Sequence, residues 1–219
     1  MNKKTKKPWP TKAVMTQIYD KHLWGGKEFD FYSGTGSHDP KIIEPYLKAL
    51  TTFLKSFATP LIVSDLGCGD FNIGKHLTPY TQKYIAVDIV EDLINRNKNL
   101  YKEANLEFHC LDIVTDELPQ GDCIILRQVL QHLSNAEILK VIEKIKAYKY
   151  VILTEHIPVA SFTPNKDIIS GQGIRLKQNS GVNVLEAPFH FKTKDQTILD
   201  EHILEHNMGR IVTTLNKVF

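Results

Sequence analysis

The stretch VSDLGCGDFNIG, residues 63–74, decides the fold. Apolar residues run into an acid, Asp65, and then Gly67 and Gly69 stand two apart. Such a pattern is a buried strand that empties into a loop whose backbone must pass close to something. In an open α/β sheet, ligands bind beyond the carboxyl ends of the strands, so this loop should line a crevice. The nearest rival is the dinucleotide fingerprint G-x-G-x-x-G. Counted from Gly67, its third glycine falls at Asn72, and Gly74 comes too late. The spacing argues against a NAD-dependent dehydrogenase.

Working outward, strand-like and helix-like runs alternate. LIVSDL (61–66), YIAVDI (84–89), LEFHCLDI (106–113), DCIILRQVL (122–130) and KYVILTEH (149–156) read as strands or contain one. Between them, IGKHL (73–77) begins a helix and EDLINRNKNLY (91–101) forms one. SNAEILKVIEKIKAY (134–148) opens on a capping box of Ser134 and Glu137. Upstream, Asp39 is a good N-cap and Pro40 suits the first position of a helix running to Leu54. TKAVMTQIYDKHLW (11–24) has helical spacing in Val14, Ile18 and Leu23. Near the end, QTILDEHILEH, the turn-like NMG and RIVTTLNKVF predict an antiparallel hairpin. The fold class is α/β: a mainly parallel sheet, helices on both faces, finished by that hairpin.

At 219 residues, with 42% hydrophobic and 24% charged residues, the chain predicts a single domain. Within it, residues 1–58 carry N-terminal helices and a covering loop, and 59–156 the binding core. Residues 157–190 form an irregular insertion expected to cover the substrate, and 191–219 the hairpin. A net charge of +2 provides no field for nucleic acid, and the four lysines at positions 3–7 read as a solvated tail. No apolar run could cross a bilayer, and no apolar segment follows MNKKTKKPWP, so a cytoplasmic protein without a membrane partner is expected. Cys68, Cys110 and Cys123 then read as reduced thiols. No metal site is expected, because His202 and His206, four apart, fall on a strand.

The strand ends carry the chemistry. Asp88 ends the second strand, where a carboxylate can accept from both hydroxyls of a ribose. Asp112 ends the third, where a side chain would meet an adenine amino group, and Asp65 could hold an ammonium. One such acid alone is an ordinary N-cap or loop residue. Four successive strand ends with suitable polar groups form a pattern.

As a set, DLGCGD, AVDI, HCLDI, LRQVLQHLS and VILTEH resemble the class I S-adenosylmethionine-dependent methyltransferases. The resemblance implies a Rossmann-like, seven-stranded sheet and S-adenosyl-L-methionine as cofactor. It places Asp65, Gly67 and Gly69 at the methionine part, Asp88 at the ribose, Asp112 with Ile113 at the adenine, and Arg127 with Gln128 at the sulfonium. Cys68, Asp70, Asn72 and Ile89, in the same motifs, complete the cofactor set. WGGKEFDFYSGTGSHDP, CGDFN, QHLS and NKDIISGQGIRL…APFHF are further similar to a group of bacterial methyltransferases. That likeness implies that Ser33, Gly34, Thr35, Gly36 and Ser37 close over the cofactor.

Methyl transfer to a hydroxyl needs a positioned acceptor and often a base. His132 and His156 are the catalytic candidates, with Glu155 a rival. Arg175 would suit an anionic substrate group or else a surface ion pair. Phe189 and His190 would border the substrate, while Phe162, Phe189 and Phe191 would wall a pocket or form a small core. The expected activity is O-methylation of a small-molecule or sugar-like acceptor. Alternatives are an RNA or protein acceptor, a cofactor-binding module without catalysis, and a dehydrogenase.

Overall fold

A computed structural model describes residues 8–219; the lysine run at positions 3–7 lies outside the described residues. Five parallel strands form its centre: β1 (Ile62–Leu66), β2 (Lys83–Asp88), β3 (Leu106–Cys110), β4 (Cys123–Arg127) and β5 (Tyr150–Ile157). The chain closes with β6 (Asp195–Ile203) and β7 (Arg210–Lys217). The sheet order is β3-β2-β1-β4-β5-β7-β6, with β7 antiparallel to both neighbours. This is the Rossmann-like class I methyltransferase sheet, and the reversal of strand order beside β1 opens the crevice there.

The central strands are apolar on both faces because both faces are covered. On one face, Val63, Ala86, Cys123, Ile125 and Ile152 pack against Tyr46, Leu50 and Leu54 of α2 (Pro40–Lys55) and Ile94 of α4 (Glu91–Leu100). On the other, Leu66, Ile85, Val87, Ile124, Leu126 and Val151 meet Ile138, Val141, Ile142 and Ile145 of α5 (Asn135–Ile145). The Asp39 side chain caps α2 at the amide of Lys41, and Ser134 with Glu137 completes the capping box of α5. No helix among the described residues is long and apolar enough to cross a membrane.

Three local expectations are corrected. The helix opened by IGKHL is only α3 (Gly74–Leu77), because Pro79 cannot continue it and the chain tightens into a 3₁₀ turn over Thr78–Tyr80. The third strand stops at Cys110; Asp112 starts a turn, accepting from the amides of Thr115 and Asp116 through its carbonyl. The insertion is not merely a cover, since Val182, Val184, Phe189 and Phe191 join the main core on the α5 face. Phe189 and Phe191 are therefore packing residues rather than walls of a substrate pocket.

Candidate functional site

A cavity of about 340 Å³ lies at the carboxyl ends of β1 to β4. Its roof is α1 (Thr11–Asp20), where Thr11, Met15 and Tyr19, spaced four apart, present one stripe to the cavity. All the cofactor residues expected from the sequence line it except Thr35, Asp70 and Asn72.

The two glycines answer a different need from the one their spacing advertises. Gly67 has φ +83°, and a Cβ there would lie 2.4 Å from a methyl carbon of Val129. Gly69 has φ +55°, and a Cβ there would lie 2.2 Å from Ser33 Oγ. Both admit the chain's own connections, so the loop after β1, the loop after β4 and residues 33–38 nest against one another. Asp70 fastens this nest. Its Oδ2 accepts from the Ser33 amide at 2.9 Å and from His38 Nε2 at 2.6 Å, while its own amide donates to Ser33 Oγ at 2.8 Å. Asn72 Nδ2 donates to the Ser37 carbonyl at 2.8 Å. Both residues, expected at the cofactor, instead bolt down the covering loop.

Three acids face the cavity. Burial pushes the Asp65 carboxyl up to about 7, partly opposed by the Tyr84 hydroxyl that donates to it at 2.9 Å. Asp88 is also raised by burial, although its oxygens accept from the amides of Gly69 (3.1 Å) and Val90 (3.0 Å). Asp112 Oδ1 accepts from the Val114 amide at 2.9 Å. The single cation on the described cavity wall is Arg127. Gln128 follows it at φ +56°, an unusual conformation that turns the chain sharply at the cavity edge. Burial pushes the Cys68 thiol well up, which keeps it protonated and poorly nucleophilic.

Among the acceptor-side candidates, His132 lines the cavity and His156 does not. His132 Nδ1 lies 3.0 Å from the Gly171 carbonyl, and the Trp24 ring sits 5.3 Å away. His156 Nε2 is committed to the Met208 carbonyl at 2.7 Å. Arg175 is neither a substrate anchor nor a surface ion pair: it is 1% exposed and off the cavity. Its donors go to the carbonyls of Lys166, Leu130, Gln131 and Leu133 and to Asn135 Oδ1. His190 is exposed and also off the cavity. Glu155 is buried, and neither of its oxygens has a partner among the described residues.

Sequence reasoning missed Thr11, Met15, Tyr19, Trp24, Gln131, Gln172 and Ile174 on the cavity wall. The four-residue spacing in α1 was a signal, but it is offset from the apolar Val14 and Ile18 that draw the eye.

Residues 64–148 match the family model of the methyltransferase domain. No curated protein matches the sequence. Among solved structures, the N-methyltransferase NodS of Bradyrhizobium japonicum WM9, with S-adenosylhomocysteine, is similar over 93% of this chain and 98% of its own at 12% identity and TM-score 0.65. Magnesium protoporphyrin IX methyltransferase of Synechocystis PCC 6803, with bound S-adenosylmethionine, is similar over 97% and 100% at 15% identity and TM-score 0.59. The 1,6-didemethyltoxoflavin-N1-methyltransferase of Burkholderia thailandensis, with S-adenosylhomocysteine, is similar over 95% and 87% at 14% identity and TM-score 0.57.

Proposed function

We propose that this chain is an S-adenosylmethionine-dependent methyltransferase acting at oxygen on a small-molecule or sugar-like acceptor. The observation that carries the cofactor is the cavity itself. It sets Asp65 and Asp88 at two neighbouring strand ends and Asp112 in the turn just beyond the third, around a glycine turn, in the order that suits an ammonium, a ribose and an adenine. The acids fit the group: Asp88 keeps lone pairs for two hydroxyls after accepting its two amides. When bound, the cofactor supplies an electrophilic methyl on a sulfonium. The protein's part is to exclude water with α1 and the 33–38 loop, to orient the acceptor, and to receive its proton.

His132 supports an oxygen acceptor. The Gly171 carbonyl can only accept, so Nδ1 carries the proton and the Nε2 lone pair accepts from the Gln131 side-chain amide at 3.3 Å, a contact that an acceptor hydroxyl would replace. During methyl transfer to a hydroxyl, Nε2 would receive the proton that the acceptor oxygen gives up. Calorimetric titration tests the reading. Micromolar binding of S-adenosylmethionine, none of NAD, and loss of binding by at least roughly 100-fold in Asp88→Ala are expected. Preference for NAD would overturn it.

A further inference from the structure

Resting on that cofactor reading, we propose that the Arg127 guanidinium takes the carboxylate of the cofactor's amino-acid tail and ties its arrival to closure of the 33–38 loop. Arg127 ends β4, two residues beyond Ile125, which pairs with Asp65 across the parallel register. Residues two apart share a face, so the guanidinium and the Asp65 carboxyl project to the same side of the sheet. Tyr46 of α2 lies under the guanidinium, 4.8 Å from ring centroid to Cζ. One end of the cavity thus holds a cation and an acid side by side, which matches the two charges of an α-amino acid.

The wiring of Arg127 points the same way. Nη2 donates to the Gly36 carbonyl at 2.6 Å, and Nη1 to Ser37 Oγ and Gln128 Oε1, both at 3.1 Å. Nε is buried and has no partner among the described residues. No carboxylate among the described residues forms an ion pair with this 9%-exposed cation. A buried guanidinium with an idle donor and no carboxylate paired to it is a site awaiting an anion. The resemblance sets Arg127 at the sulfonium, but a guanidinium repels a sulfonium, and the cofactor's one anion is its carboxylate. Because the same group holds Gly36 and Ser37, an anion that fixes the guanidinium also fixes the loop above it.

The test uses two ligands that differ by one carboxylate: S-adenosylhomocysteine and its decarboxylated analogue, S-adenosyl-3-thiopropylamine. By calorimetry, the wild-type protein should prefer the former by roughly 10- to 100-fold. In Arg127→Met that preference should fall to about threefold or less, while Arg127→Lys keeps part of it. S-adenosylhomocysteine alone should protect residues 33–38 from limited proteolysis. Equal affinity of the wild type for both ligands, or full preference in Arg127→Met, overturns the assignment and leaves the cofactor reading standing. Failure of the wild type to bind either ligand overturns both. The wild-type comparison decides the matter even where the methionine variant does not fold.

Discussion

At His132, burial holds the imidazole down to about 4, with the Gly171 carbonyl opposing the shift only in part. A base that weak would be a poor choice for removing a proton from a free hydroxyl. Under the proposed oxygen-methylation reading it would suffice, because attack by a neutral hydroxyl leaves a protonated ether, a far stronger acid than any imidazolium. Low basicity also has a use: the ring stays neutral and never places a second cation near the reacting methyl. NMR of the histidine ring should find Nδ1 protonated and Nε2 bare from pH 6 to 8, with a titration midpoint near 4. A midpoint near the ordinary ~6.5 would remove the argument. His132→Ala should then lower kcat by about 10²- to 10⁴-fold while leaving the affinity for S-adenosylhomocysteine within a few-fold. His156, equally attractive on paper, lies off the cavity and is bonded to the Met208 carbonyl, which no sequence pattern announces.

Among the elements, the connection from β4 to α5 depends most on a distant partner. It carries Gln128, Gln131 and His132 to the cavity, yet its carbonyls at Leu130, Gln131 and Leu133 are held by one side chain from the insertion, Arg175. Arg175→Met should cost roughly 3–5 kcal/mol in urea denaturation, since several buried carbonyls lose their donor at once. Arg175→Lys should recover little, because an ammonium cannot span the fork. A cost under about 1 kcal/mol would show that the connection holds itself. The contrast with the sheet explains what could be read in advance. Strands such as YIAVDI and the capping box at Ser134 announce themselves through local periodicity and hydrogen bonding, and the acids at their ends follow from the fold. Arg175 sits in a segment without period, and its partners lie about forty residues away, so only the folded chain reveals that it braces rather than binds. The roof residues of α1 are hidden for the same reason, as are Asp70 and Asn72, whose partners are supplied by the loop at 33–38.

For the whole molecule, two buried acids at the carboxyl ends of the strands set how stability depends on pH. Glu155, buried with idle oxygens, is pushed up to about 8 by burial, eased by nearby Arg175; Asp65 is pushed up to about 7. They lie on opposite faces of the sheet, so neither relieves the other. In the unfolded chain both ionise near pH 4. The folded state therefore prefers them protonated, and the stability they lend is complete below about pH 4 and lost as the pH climbs through 7 to 8. The depressed imidazole of His132 acts in the opposite sense below about 6.5, so total stability alone would confuse the two. A comparison with Glu155→Gln cancels that contribution, because the histidine is common to both proteins. The variant should match the wild type at pH 4 and exceed it by about 1–3 kcal/mol at pH 8.5, measured by chemical denaturation at each pH. A difference that does not change with pH would mean that water or Arg175 already satisfies the carboxylate. A difference that grows as predicted would mark Glu155 as a retained cost, an acid kept neutral in the core beside the connection that carries His132.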